Sequence, residues 1–212
     1  MQGFNFLIKS TGTISSHFLS RNIFDFATAI HFIKLLPYGR NADKIDLRKL
    51  FTDNCGTCST KHALLKQLAA ENGAHELKLI LVLFNMNGVN TPVVKPILLK
   101  NKLDYIPEAH NYLLAGTEYI DWTTAHSSKN NIVNDVISET EIETSQIDEF
   151  KVKFHKEYLQ QWLKQNDSIK LSLDELWKIR EECIEALSAT GIAHSNKISH
   201  IRNERKLKNS ST

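Results

Sequence analysis

The stretch Asn54-Cys55-Gly56-Thr57-Cys58-Ser59-Thr60-Lys61-His62 decides how the rest of the chain is read. Cys58 stands where a polar loop meets a helix. From Cys58 to about Glu71, the residues Ala63, Leu64, Leu65, Leu68 and Ala69 supply a wide apolar face. Asn72-Gly73 stops that helix, because glycine readily takes the left-handed conformation. The run Leu77 to Met86 then reads as a strand buried on both faces. A helix start offers unpaired N–H groups and a positive dipole end, and both favour a thiolate at Cys58. A thiol so placed loses its proton below the ordinary value of about 8.5. Gly56 permits a tight turn and leaves room for a substrate to approach.

Outward from this segment, residues 22–36 read as a helix capped by Asn22, with Ile23, Phe26, Ala27, Ile30 and Ile33 on one face. Pro37 and Gly39 end it. A polar, turn-like stretch with a short helix near Leu47 to Phe51 leads to Cys58. Residues 93–123 read as antiparallel sheet, in which His110 to Leu114 and Glu118 to Thr123 flank the hairpin connection Ala115-Gly116-Thr117. Residues 135–150 hold Asp135, Glu139, Glu141, Glu143, Asp148 and Glu149 with no basic residue, which reads as a solvated connector. Two helices follow. The first, at 151–165, carries Phe154, Tyr158, Leu159 and Trp162. The second opens at Ser172, with Glu175 completing a capping box, and carries Leu173, Leu176, Trp177, Ile184 and Leu187. The expected organisation is a core with an N-terminal helix (1–130), an acidic connector (131–150), a C-terminal helical hairpin (151–190) and a basic, flexible tail (191–212). The fold class is α+β, with the Cys58 helix packed on an antiparallel sheet and extra helices at both ends.

Composition narrows the function. With 42% hydrophobic residues in 212, there is enough apolar material for a core, so wholly disordered and disulfide-stapled classes are excluded. The near balance of 26 basic and 24 acidic residues predicts no nucleic-acid partner. The longest apolar run, Leu79 to Phe84, is too short to span a bilayer, so no membrane role is expected. The N-terminus shows no basic region followed by an apolar one, and a cytoplasmic location is the expectation. Three cysteines, an odd number, do not make a disulfide framework.

A thiol nucleophile needs a base, and the base needs an orienting group. If Gly116-Thr117 forms a two-residue loop, Ala115 faces Glu118 and His110 faces Thr123. Asp121 then emerges on the same sheet face as His110. A three-residue loop would shift the register by one and separate them. An aspartate between Ile120 and Trp122 is unusual in a strand and calls for a partner.

These segments resemble the transglutaminase-like superfamily. Gly56-Thr57-Cys58 with its helix, Gly73 and the strand Leu77 to Phe84 look like the nucleophile region. His110-Asn111-Tyr112 resembles the histidine strand, and Asp121-Trp122-Thr123 the Asp-x-Thr motif. The likeness covers residues 40–126. It implies a papain-like thiol-enzyme core in which Cys58 is the nucleophile, His110 the general base and acid, and Asp121 the orienter. It further implies a peptidase, deamidase or transglutaminase type of reaction on a peptide, protein or small amide, without cofactor or metal. The chain departs from the family's usual pattern at His62, where a small residue is common, and at Trp122, where proline is usual. The oxyanion would be held by the Cys58 N–H and, from position only, the Asn54 side chain.

Three rivals compete. Thiol–disulfide exchange through Cys55 and Cys58 fits their C-x-x-C spacing, but thioredoxin-like domains need a strand immediately before the motif. Zinc held by Cys55, Cys58 and His62 lacks a second ligand pair. A non-catalytic interaction domain on the same fold is the third. The C-terminal helices, with Trp162 and Trp177, would cover the core or a second copy of the chain in a homodimer.

Overall fold

The computed structural model describes residues 4–9, 11–124 and 132–189. The elements run α1 (Thr13–Leu19), α2 (Phe26–Leu35), α3 (Lys49–Asp53), α4 (Cys58–Glu71), β1 (Leu77–Asn87), α5 (Lys95–Lys100), β2 (Tyr105–Ala115), β3 (Glu118–Ile120), β4 (Val136–Ile142) and α6 (Glu149–Gln165). A last helix, α7, runs through 173–189. Among the described residues the strands form one antiparallel sheet in the order β3-β2-β1-β4, and the fold is α+β.

β1 organises the core. Its leucines at 77, 79, 81 and 83 enter one apolar cluster with residues of α1, α2 and α4. The alternating Ile80, Val82, Phe84 and Met86 enter a second cluster with residues of α5, α6 and α7. A strand covered on both faces has no use for alternating polar residues, hence its continuous apolar run.

α4 lies deep in the first cluster. Thr57 caps it: the Thr57 hydroxyl accepts the Thr60 N–H and the Thr60 hydroxyl accepts the Thr57 N–H at 3.0 Å. Gly73, at φ +81°, follows its end. Every residue from Cys58 to Leu65 is buried, so the first half of α4 is covered on all sides. α1 and α2 pack on its other side. The Glu71 carboxylate accepts the N–H groups of Ile14 (3.0 Å) and Ser15 (2.7 Å), closing the start of α1. The Lys61 ammonium, fully buried, donates to the carbonyls of Leu36 at 2.6 Å and Thr123 at 2.7 Å.

Several expectations are corrected. Asp25, not Asn22, caps α2, accepting the Thr28 N–H at 2.9 Å; Asn22 occupies a left-handed turn at φ 59°. The short helix α3 falls two residues later than read. Residues 92–100 are not sheet but a 3₁₀ turn leading into α5. Pro92 and Pro96 lack the N–H a ladder needs and suit a helix's first turn. The acidic segment is no mere connector, because it supplies β4, which pairs with β1. Its charges are used there: Glu141 accepts from Lys78 at 2.7 Å, and Glu139 accepts from the hydroxyls of Tyr112 and Tyr119. Gly56 does not open space for a substrate. A Cβ there would meet Leu50, Lys61 and Thr60 at 2.9–3.1 Å, so glycine is required by packing.

The C-terminal helices share their core with β1. Trp162 is buried in the second cluster within the chain. Trp177, half-buried, lies against His155 and Arg180. The Ser172–Glu175 capping box forms as read. The basic tail lies outside the described residues.

Candidate active site

The hairpin register sets up the site. Ala115 pairs with Glu118 across Gly116-Thr117, with Gly116 at φ 58°, so the loop is the two-residue form. β3 pairing ends at Leu113–Ile120, which leaves His110 and Asn111 on a free stretch of β2 edge. The start of α4 meets that edge. The His110 imidazole and the Asn111 N–H bear on the charge of the Cys58 sulfur, and both favour its ionised form. His110 Nε2 donates to Asp121 Oδ2 at 3.1 Å, and the Cys58 and Asp121 charges both favour the protonated ring. Cys58, His110 and Asp121 are therefore brought together in that order.

Each member is held from behind. Asp121 Oδ1 accepts the Thr123 N–H at 2.9 Å and the Thr123 hydroxyl at 2.6 Å, so the aspartate is locked before it reaches His110. His62 is a strut, not a ligand. Its Nδ1–H donates to the Cys58 carbonyl at 2.8 Å, and its Nε2 accepts the Trp122 N–H at 2.8 Å. A backbone carbonyl can only accept and a backbone N–H only donate, so the neutral Nδ1–H tautomer is imposed. Burial pushes His62 down to about 4, with His110 also opposing its charge. Both nitrogens being engaged, His62 has none left for zinc. No group of three His, Cys, Asp or Glu side chains is placed to hold a metal among the described residues.

The electrostatics favour an ion pair. Burial pushes the Cys58 thiol up, but the Lys151 ammonium, the His110 imidazolium and the Asn111 N–H pull it down to about 6. Burial pushes His110 down, but the thiolate and Asp121 raise it to about 10. Both shifts run towards a thiolate–imidazolium pair. Asp121 would be raised by burial, yet His110 holds it well below the usual carboxylate range. The residues are nearly enclosed: Cys58 is 6% exposed, and the His110 and Asp121 side chains are 16% and 10% exposed.

The other two nominated residues lie apart from this chemistry. Cys55 donates its thiol to the Arg40 carbonyl at 3.6 Å, and burial raises it. Asn54 is exposed at the end of α3, in a left-handed turn at φ 52° that asparagine tolerates. α3, rather than a strand, precedes the C-x-x-C pair.

Two further residues escaped the sequence reading. Lys151, in the first turn of α6, is buried and donates to Ser59 Oγ at 2.8 Å, Asn111 Oδ1 at 2.8 Å and Cys58 Sγ at 3.8 Å. Its signal was periodicity: Lys151, His155, Leu159 and Trp162 form one buried stripe of α6. Tyr38 bridges Gly56 in parallel, and its phenol is pushed up by burial and then by the Cys58 charge. Its position after Pro37 reads only as a helix stop. Near the same strand, Arg180 of α7 grips Glu108 of β2 with Nε–Oε2 at 2.8 Å and Nη2–Oε1 at 2.5 Å.

No family model, no curated protein and no solved structure matches this chain.

Proposed function

We propose that the chain is a cysteine-dependent acyl-transfer enzyme of transglutaminase-like type, acting on an amide through Cys58, His110 and Asp121. One observation carries the reading: a single imidazole donates to a buried carboxylate, 3.1 Å from His110 Nε2 to Asp121 Oδ2, and is coupled in charge to a helix-start sulfur. The Cys58 thiolate attacks the amide carbonyl and the C=O pair moves to oxygen. The Cys58 N–H, at the first position of α4 and without an intrahelical partner, is the donor assigned to that oxyanion. His110 gives its proton to the amine as the C–N bond breaks. Water or a second amine then releases the acyl group, with His110 taking up its proton.

A second reading, a non-catalytic domain on this fold, is favoured by the near burial of the Cys58 sulfur. Against thiol–disulfide exchange stand the raised Cys55 thiol and the helix ahead of the motif. Turnover of glutamine peptides and small amides, with and without an amine acceptor, under reducing conditions, tests the proposal. Wild type should be active and Cys58→Ala inactive. Equal turnover by both proteins removes thiol catalysis, and no turnover by either puts the non-catalytic reading ahead.

A further inference from the structure

We propose that Lys151 is a further catalytic residue. Its ammonium is a second counter-ion of the Cys58 sulfur, which keeps the nucleophile ionised whether or not His110 holds a proton. The inference rests on the reading of Cys58 as nucleophile, but it concerns the sulfur's ionisation rather than the substrate.

A lysine ammonium has three donors, and here they meet Ser59 Oγ, Asn111 Oδ1 and Cys58 Sγ. The first two are neutral and fixed: the Ser59 hydroxyl donates to Asn111 Oδ1 at 2.9 Å, and the Asn111 amide donates to the Ile80 carbonyl at 3.1 Å. The sulfur is the only one of the three that can become an anion. A buried ammonium without an anion is costly, so the contact favours the thiolate.

The surrounding charges lead to the same pairing. Glu108 is engaged by Arg180 in a two-bond fork, and Asp121 by His110 and Thr123. Of the three groups that Lys151 contacts, the one that takes a negative charge is the Cys58 sulfur, which it shares with His110. Burial, with Arg180 adding to it, holds the Lys151 ammonium below the usual lysine range, and the Cys58 thiolate and Glu108 offset only part of that. The other titratable groups around the pair are Tyr38, Lys61 of α4, and His155 one turn along α6, which donates to the Pro107 carbonyl at 2.8 Å.

The consequence is chemical. In a lone cysteine–histidine pair the imidazolium is the thiolate's only counter-ion, so losing the histidine returns a thiol. With Lys151 present, the two tasks separate: Lys151 holds the charge, and His110 is reserved for moving the proton. When an acceptor adds to the thioester, the C–S bond breaks and its electron pair returns to sulfur. The Lys151 ammonium is placed to receive that charge, so it assists the second half-reaction as well.

The test is the pH dependence of Cys58 alkylation by iodoacetamide, read by peptide mapping, with ultraviolet thiolate absorbance as a second readout. Wild type, His110→Ala, Lys151→Met and Lys151→Arg are compared, and circular dichroism checks their folding. His110→Ala should keep its midpoint clearly below the free-thiol value of about 8.5. Lys151→Met should move the midpoint up by about one pH unit or more, a loss of about tenfold in rate on the acid side. Lys151→Arg should recover part of it. An unchanged midpoint in Lys151→Met overturns the proposal. So does a free-thiol midpoint in His110→Ala, a variant that leaves α6 untouched and decides the matter if Lys151→Met fails to fold. An ionised thiol with no turnover would sink the amide reading and leave Lys151 standing. Turnover with the Lys151→Met midpoint unmoved would sink Lys151 alone.

Discussion

Removing the Arg180 guanidinium should destabilise this protein at the contact between α7 and β2. Arg180→Met leaves the Glu108 carboxylate buried, with its side chain 6% exposed and both fork bonds gone. Breaking one side of a buried ion pair costs about 3–5 kcal/mol. A second route gives a similar figure. Burial would raise Glu108, but Arg180 holds it down at about 2. A carboxyl moved from about 4.3 to about 2 contributes about 3 kcal/mol at neutral pH. For a chain of this length, that corresponds to a fall in Tm of roughly 6–20 °C. Because the folded value lies below the unfolded one, the contribution is complete above about pH 4.3 and fades as pH falls towards about 2. Urea unfolding at pH 7 and pH 3, followed by tryptophan fluorescence, measures both; Trp177 stacks on Arg180, its ring centroid 5.1 Å from the guanidinium carbon, and reports the same place. The variant should lose most of its stability deficit at pH 3. The double variant Arg180→Met/Glu108→Leu, which buries no charge, should recover much of the loss at pH 7. A deficit in Arg180→Met below about 1 kcal/mol, equal at the two pH values, would refute the reasoning, since that is what an exposed pair is worth.

The remaining predictions concern the site. The pH profile of kcat/KM should be a broad bell, rising through about 6 as Cys58 ionises and falling near 10 as His110 loses the proton owed to the leaving amine; alkylation of Cys58 should share the rise but not the fall. His110→Ala should lower kcat/KM by about 10²–10⁴-fold in steady-state assays, and Asp121→Asn should cost less than Cys58→Ala, because the thiolate survives while the imidazole loses its orienter. His62→Leu should destabilise by about 1–3 kcal/mol in urea titrations, since it strands the buried Trp122 N–H. Its kcat/KM should also fall, because His62 joins the Cys58 carbonyl to the segment that carries Asp121.

Much of the site was legible because its parts lie on elements with strong local signals. The start of α4 follows from a loop-to-helix change at Cys58, and its end from Gly73. β1 follows from an unbroken apolar run. The pairing of His110 with Asp121 follows from the turn length alone, since side chains alternate and a two-residue loop fixes which share a face. What failed was reading polarity as exposure. The acidic stretch at 135–150 became β4 because β1 needed a partner on its second edge, and its glutamates found Lys78 and two tyrosine hydroxyls. The helix over 22–36 began later because Asp25, not Asn22, had the extended backbone a cap requires.

The buried charged residues of the core illustrate the same failure at higher stakes. Lys61, Glu108, Lys151 and Arg180 are each buried or nearly so, and each would be assigned to the surface by type. Their partners are far away in sequence: Lys61 joins Leu36 to Thr123, Glu108 meets Arg180, and Lys151 reaches back to Cys58. No local window contains both ends of such a pair. What a window does contain is position. Lys151 and His155 occupy the same stripe of α6 as Leu159 and Trp162, and a helix that buries one end of a stripe tends to bury the other. A charged residue on an otherwise apolar stripe is therefore a demand for a partner elsewhere in the chain. For Lys151 that demand is met by Ser59, Asn111 and the thiol of Cys58, whose residues lie forty to ninety-three positions away.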